Sequence, residues 1–575
     1  MRQSAGSSSQ RKDLKTDPMS ERRLQLRRGG FPREIACPET SLYYNLEVSA
    51  TRHPHKPFLL FYDSELSYGE FRRHVDALAG FLQQQCGVRK GDRVLLYLQN
   101  CPQFMIAFYA VVRADAVVVP VSPMNLAEEL RHFGADSGAR VAVVGQELIA
   151  RVAPLAGELF DQLIVVAYSD YLRRDTDLRL PDALSASPAP VLPERAVPWR
   201  AAIDAGHVPG AHTACPGDLC VLAYSSGTTG KPKGCMHTHR TVMSTAVCTW
   251  LWAGLIPDTV SLCSLPLFHV TAMQSGMNGP IFMGQTVALM QRWDRETAAR
   301  LIERHRIATW TTITTMAIDF LANPDLPRHD LSSLAHIGGG GAAMPEAIAR
   351  QVFELTGLEY LEGYGLTETM APTHINPRCA PKRQCLGVPI SGTDARIIDL
   401  DSGIELGPGA VGEIAVNGPQ VFLGYWNNPR ATSEAFIEID GKRFLRTGDL
   451  GRRDEDGYYF IVDRLKRMIN ASGMKVWPAE IESLMHAHPG IQEACVIGAR
   501  DAYRGETVKA VVVPKPDQGA PPSAEDIVAW CRAHMAAYKV PRIIEFAESL
   551  PKSATGKVQW RLLQERESGR SSPGT

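Results

Sequence analysis

The chain has 575 residues, enough for several packed units, with 45 % hydrophobic and 21 % charged residues. Its formal charge of −1 excludes a field that would gather nucleic acid or an anionic membrane surface. The opening segment has no apolar core, which argues against a secretory signal, and the 12 cysteines are scattered without a disulfide framework, which predicts a reducing cytoplasm.

In chain order, the start is basic (Arg22, Arg23, Arg27, Arg28) and poor in apolar residues, so residues 1–40 are expected to form a flexible tail, with Met19 an alternative start to Met1. Helical periodicity over 68–85 leads to a strand at 93–98, and a second helix begins near Pro102. The most apolar stretch, 104–121, is interrupted by Arg113 and Asp115, so it predicts a buried helix followed by a strand at 116–121 and no transmembrane segment. A helix at 127–137 and a strand at 140–144 follow. Helix and strand in turn, with continuous Val-rich strands, predict a parallel sheet covered on both faces. The alternation returns over 242–360, after a connection at 170–215 rich in Pro, Ala and Asp and read as loop. Beyond Gly387, strands at 395–399 and 412–416 separated by Gly, Pro and Asp predict a β-rich subdomain. After Asp463 a small α+β unit is expected, with helices at 478–487 and 524–535 and strands at 492–497 and 509–514; residues 567–575 are read as a disordered tail.

Two residue groupings suggest chemistry. Cys215, Cys220, Cys235, His237 and His239 resemble a zinc set, but Cys220 lies in a buried-strand run and a structural zinc needs four convergent ligands, so no metal is expected there. The stronger grouping follows that strand: Ser225, Ser226, Gly227, Thr228, Thr229, Gly230, Lys231, Pro232, Lys233 and Gly234. Glycines let backbone N–H groups approach phosphate oxygens, hydroxyls donate further bonds, and lysines neutralise charge. The spacing is not that of a Walker loop, and a flexible surface loop has the same composition.

This loop resembles the signature of the adenylate-forming superfamily of acyl-CoA synthetases, luciferases and adenylation domains. Four further segments resemble that family in its order: Tyr364-Gly-Leu-Thr-Glu-Thr369, Thr447-Gly-Asp-Leu450, Asp463-Arg-Leu-Lys-Arg-Met-Ile469 with Gly473 beyond, and Pro551-Lys-Ser-Ala-Thr-Gly-Lys557. The likeness spans roughly 67–561. It implies an α/β fold: a large N-terminal domain (41–463) of two doubly wound sheets plus the β-rich subdomain, and a small mobile α+β C-terminal domain (464–566). It also implies ATP, Mg²⁺ and coenzyme A, with a carboxylic acid made into acyl-AMP and then a thioester.

The same resemblance distributes roles. Ser225, Ser226, Gly227, Thr229, Gly230, Lys231 and Lys233 would hold phosphates, with Thr228 in catalysis. Glu368 would hold Mg²⁺, beside Gly365 and Thr367. Tyr364 would stack on adenine, Asp449 accept from the ribose hydroxyls, and Arg464 make a second nucleotide contact. Gly341 would lie by the nucleotide, while Gly338, Gly339, Gly340 and His269 would face the acid. Lys557 would bridge carboxylate and α-phosphate, Lys466 would be the pivot of the small domain, and Gly473 would lie on its thioester-forming face. The segment 468–478 is most similar to medium- and long-chain fatty acid ligases, and residues 310–320 with 338–343 are expected to shape an acyl pocket. An aryl-acid ligase, or a fatty acyl-AMP ligase serving a carrier protein, is the alternative. A luciferase-like enzyme would need a lysine where Asn470 stands, and a non-catalytic binding protein would be expected to lack Lys557 or Glu368. Oligomeric state is left open.

Overall fold

The computed structural model describes residues 33–187, 191–225, 232–253, 256–341, 343–464, 467–471, 474–501, 505–515, 521–553 and 556–570. Among them the strands form four sheets. The Val-rich strands of the first part make a seven-stranded sheet in the order Ala196–Pro198, Gln162–Val166, Val141–Gly145, Arg93–Tyr97, Val117–Val121, Leu219–Ser225, Lys233–Thr238. Its neighbours run parallel except the last pair, an antiparallel hairpin. Both faces are buried, as such strands require: Val118 faces one apolar cluster while Val117, Val119 and Val121 face another with Leu130 and Phe133 of the helix Ala127–Ser137.

The helix Pro102–Arg113 shows why the long apolar run belongs inside. Every residue from Pro102 to Val112 is buried, and Phe104 to Val112 lie in one cluster with residues of both large sheets. A helix apolar all round is stable only where protein surrounds it, each large side chain contributing about 1.5–3 kcal/mol. Cys101 caps it by accepting from the Phe104 amide, and Pro102 begins it, where no N–H is missed. Beside it lies Tyr68–Gln84, capped by Ser67, which accepts from Glu70 N; Phe71, Val75, Leu78 and Leu82 make its buried stripe.

The second sheet has nine strands: Val388–Pro389, Ala371–Ile375, Leu361–Leu366, His336–Gly340, Thr309–Thr312, Val260–Cys263, Thr286–Leu289, Pro57–Phe61 and Ser64–Ser67. The six central strands, from Leu361–Leu366 to Pro57–Phe61, are parallel. An antiparallel five-stranded sheet follows, Asp394–Ile398 to Tyr459–Arg464, and then a five-stranded sheet built on the hairpin Ile491–Asp501 and Gly505–Pro514 with helices Pro478–Met485 and Ala524–His534. The expected fold class is observed. Among the described residues no helix is long and apolar enough to cross a membrane.

Three features differ from the sequence reading, and one concerns residues 57–67, which it does not assign. Pro57–Phe61 and Ser64–Ser67 precede the first sheet in the chain but belong to the second, through parallel pairing with Thr286–Leu289. The connection read as loop supplies an edge strand, Ala196–Pro198, and a helix, Trp199–Asp204, anchored by the buried Trp199. Residues 33–40, read as tail, are mostly exposed but touch the fold: Arg33 O accepts from Gly392 N at 2.7 Å, and Ile35 lies against the core. The final helix, Trp560–Arg570, runs past Glu567, which pairs with Lys509 at 2.5 Å. No zinc site forms among the described residues. Cys220 and Cys235 are buried, and His237 and His239 bond to backbone groups.

Asp115 ties the 210–215 connection to the end of the buried helix. Its Oδ2 accepts from Thr213 N (2.9 Å) and Thr213 Oγ1 (2.6 Å), Oδ1 accepts from Ala214 N (3.1 Å), and His212 Nδ1 is 2.6 Å away. Removing a buried, fully bonded carboxylate leaves these donors unpaired. Asp115→Ala should therefore cost about 3 kcal/mol, read as a lower urea midpoint at unchanged m, with Asp115→Asn losing less.

Candidate active site

Parallel strands deliver their C-terminal ends to one edge of a sheet, where open α/β sheets gather ligand-binding loops. In the nine-stranded sheet that edge receives the segments after Val260–Cys263, Thr309–Thr312, His336–Gly340 and Leu361–Leu366. His269, Ile313, Gly341, Thr367 and Glu368 lie on those segments.

The glycine run has a structural cause. A Cβ at Gly338, Gly339 or Gly340 would lie 2.6, 1.8 or 2.2 Å from the carbonyl oxygens of Leu361, Thr312 and Gly363, so adjacent strands already fill the space. Gly341 differs. Its φ is 94°, and a Cβ there would stand 2.8 Å from Lys557 Cε. Lys557 thus enters this edge from the C-terminal unit, on a loop closed by Ser553 N donating to Lys557 O at 2.8 Å. Beside it, Gly556 rests against Ile313 and Thr315.

Around Lys557 the charges are ordered. Asp449, 2 % exposed, accepts from the Tyr364 hydroxyl at 2.6 Å on Oδ2 and pairs through Oδ1 with Arg464 Nε at 2.8 Å. Asp449 and Arg464 are register partners on adjacent strands, so sheet geometry holds the pair. Asp449's charge raises the Arg464 guanidinium, and burial with that same charge raises the Tyr364 hydroxyl. Burial, and then Arg464, lower the Lys557 ammonium, against which Asp449 acts. His269 is pushed down to about 3 by burial and then by the Lys557 charge, so it is neutral near pH 7. It caps the helix Val270–Met273, Nδ1 accepting from Thr271 N at 3.3 Å.

Glu368 is held from three sides. His237 Nε2 donates to Thr367 O at 2.8 Å, Phe422 N donates to Glu368 O at 2.9 Å, and the Tyr425 hydroxyl donates to Glu368 Oε1 at 2.8 Å. Lys233 Nζ sits 4.1 Å from the centre of the same Tyr425 ring. Ser225 and Lys233 face each other at the end of their hairpin. Met370 and Ala371, just beyond, adopt left-handed backbone at φ 46° and 79°, a strain of about 1–3 kcal/mol each that sites of function often store. A Cβ at Gly365 would strike the Ala371 carbonyl at 1.9 Å, so that position requires glycine.

Of the residues expected from sequence, the structure gathers Lys557, Asp449, Arg464, Tyr364, Gly341, Glu368, Thr367 and His269 at this edge, with Ser225 and Lys233 joined to it through Tyr425. Ser226, Gly227, Thr228, Thr229, Gly230, Lys231, Lys466 and Gly473 lie outside the described residues. The expected acyl segment is aromatic: Trp310 stacks on Trp293 (5.6 Å, 7°) and meets Phe320 at 4.8 Å, beside a small apolar cavity that Ala317, Ile337 and Val352 also line.

Sequence reasoning missed three participants. Asn100 clamps the His269 loop, Nδ2 donating to Leu265 O and Oδ1 accepting from Leu267 N, both at 2.8 Å. His237 and Tyr425 fix Glu368. Asn100 and Tyr425 stand in none of the motifs above, and His237 stands only in the grouping that resembles a zinc set; Tyr425 is one aromatic among Phe422, Tyr425 and Trp426.

Comparison with known proteins shows the family. The model for "AMP-binding enzyme" matches residues 46–426, and that for "AMP-binding enzyme C-terminal domain" matches 480–557. A protein of Bacillus subtilis (strain 168) named long-chain-fatty-acid–CoA ligase is 34 % identical over 559 residues, covering 93 % of this chain and 96 % of its own. A feruloyl-CoA synthase of Amycolatopsis sp is 35 % identical over 511 residues, covering 88 % and 95 %. Among solved structures, the anthranilate CoA ligase AuaEII in complex with anthranoyl-AMP superposes with a TM-score of 0.81 at 27 % identity, over 94 % of this chain and 98 % of its own. With this site at the sheet edge and likeness along nearly its whole length, the chain belongs to the AMP-binding enzyme family.

Proposed function

We propose that this chain is an AMP-forming acid–CoA ligase. It joins a carboxylic acid to ATP as acyl-AMP, releasing pyrophosphate, then transfers the acyl group to the thiol of coenzyme A, releasing AMP. The observation that carries this reading is the convergence of Lys557, Arg464 and Asp449 at Gly341, on the sheet edge that also bears Glu368 and His269. A medium- or long-chain fatty acid is the proposed substrate, supported by the Bacillus relative. An aryl acid is the second reading, supported by the feruloyl-CoA relative and the Trp293–Trp310–Phe320 cluster.

Adenylation brings together two anions, so positive charge must stand between them. In our reading Lys557 bridges the carboxylate and the α-phosphate, with Arg464 as a second cation. Tyr364 packs on the adenine, with Gly365 behind it, and Asp449 accepts from the ribose hydroxyls. Ser225, Lys233 and the intervening residues, Thr228 among them, cradle the phosphates. Neutral His269 faces the acid without competing for its charge. Glu368 is the proposed Mg²⁺ ligand. Among the described residues no set of three or more His, Cys, Asp or Glu forms a metal cage, and one carboxylate suits a hard cation held mainly by phosphate and water oxygens. When bound, Mg²⁺ neutralises phosphate charge as a Lewis acid.

We further propose that residues 41–463 are the nucleotide- and acid-binding domain and 464–566 a unit that pivots at Lys466, turning Gly473 toward the site for thioester formation. The two family matches, ending at 426 and resuming at 480, support that division. The proposed compartment is the cytoplasm, supported by thiols such as Cys101, Cys220 and Cys263 buried in the core.

Three measurements test this. With purified protein, acid, ATP and Mg²⁺, the products should be AMP and pyrophosphate; ADP would refute the reading, and Glu368→Gln should slow adenylation by about 10²-fold. Across a homologous series of fatty acids, kcat/KM should rise by about 4-fold per methylene through the medium range, since each buried CH₂ contributes about 0.8 kcal/mol; higher activity with ferulate than with any fatty acid would favour the aryl reading. Lys557→Ala should abolish acyl-AMP formation yet spare conversion of supplied acyl-AMP and coenzyme A. Because the ammonium is lowered and its charged form is the active one, kcat/KM for ATP should fall as pH rises through a value below the ordinary lysine range. Lys557→Arg should move that limb upward.

A further inference from the structure

Tyr425 belongs to none of the expected motifs, yet it touches two of them. Its hydroxyl donates to Glu368 Oε1 at 2.8 Å, and its ring face lies 4.1 Å from Lys233 Nζ. Lys233 forms no ion pair among the described residues, so the ring is its evident partner there. The tyrosine itself is rigidly seated. It is 9 % exposed, its amide is bonded to Thr432 Oγ1 at 2.9 Å, and it bridges to Cys235 on the hairpin strand that begins at Lys233. The neighbouring backbone is also fixed, by Phe422 N on Glu368 O and Trp426 N on Gly234 O (2.8 Å).

We infer that Tyr425 is a positioning residue that couples the phosphate-binding hairpin to the metal-binding carboxylate, its ring face steering Lys233 while its hydroxyl orients Glu368. The inference rests on the reading of Glu368 as a Mg²⁺ ligand. A single carboxylate serving a cation shared with phosphates must present one oxygen in a set direction, and a hydrogen bond to its other oxygen does this. The phenol suits the task. A phenol hydroxyl can donate and an ionised carboxylate only accepts, which is the direction of the 2.8 Å contact. The acidic and basic groups that face it are Glu368, Lys233 and the thiol of Cys235. Because ring and hydroxyl act on different partners, the two functions can be separated by substitution.

Tyr425→Phe keeps the ring and removes the hydroxyl; Tyr425→Leu removes both. The probe is Mn²⁺, titrated by electron paramagnetic resonance against full-length protein saturated with α,β-methylene-ATP. Tyr425→Phe should weaken Mn²⁺ binding by roughly 10-fold, at unchanged melting temperature and unchanged KM for the acid. Tyr425→Leu should also weaken the nucleotide analogue without metal, where Tyr425→Phe does not. Adding Tyr425→Phe to Glu368→Gln should produce little further loss of Mn²⁺ affinity. If Glu368→Gln weakens Mn²⁺ and Tyr425→Phe does not, the inference fails while the Glu368 reading stands. If Glu368→Gln leaves Mn²⁺ unchanged, both fail. A uniform loss of every parameter together with the melting temperature would make Tyr425 merely structural and overturn the inference.

Discussion

The site depends on one costly act, the burial of the Lys557 ammonium at Gly341. Taking a lysine cation out of water is unfavourable, and its proton is held less tightly as a result. Asp449 opposes that cost through its charge, but Asp449 is itself buried and already shared between Tyr364 and Arg464. Lys557 and Arg464 share the charge of Asp449, with Glu368 also acting on Arg464, so positive charge is held where an anionic ligand would approach. Gly341 has its role here, because any side chain would occupy the space of the lysine stem.

That geometry requires a small unit that docks closely but not deeply. Among the described residues the contacts across the junction are mixed and include Gly556 against Ile313, Gln384 Nε2 donating to Ser483 Oγ at 3.3 Å, and Ala479 N donating to Asp463 Oδ2 at 2.9 Å. The C-terminal unit has its own apolar core, with Ile481, Val496, Ala510, Val512 and Ile527 fully buried. A unit with its own core, joined to the rest by contacts of this kind, suits the proposed two-step reaction, in which it pivots as a body.

The large part carries the opposite requirement. Glu368 and the His269 loop must not move, and each is held by backbone bonds from residues distant in sequence: His237 on Thr367, Phe422 on Glu368, Asn100 on Leu265 and Leu267. The apolar helix Pro102–Arg113 unites both large sheets behind these loops. Rigidity at the sheet edge thus comes from a core in which no element is independent.

The sequence by itself determined the fold class, most elements and the motif residues at the site. A continuous apolar run and a period of 3.6 marked Val117–Val121 and Tyr68–Gln84, and runs such as Tyr364–Thr369 carry their chemistry locally. Only the tertiary structure decided which sheet takes Pro57–Phe61, that Ala196–Pro198 is a strand, and that Gly338–Gly340 are glycines because neighbouring carbonyls leave no room. It alone revealed Asn100, His237 and Tyr425 as supports of the site. The physical reason is that their partners lie 165, 130 and 57 residues away, so hydrogen bonds set by packing, with no local pattern to announce them, define what they do.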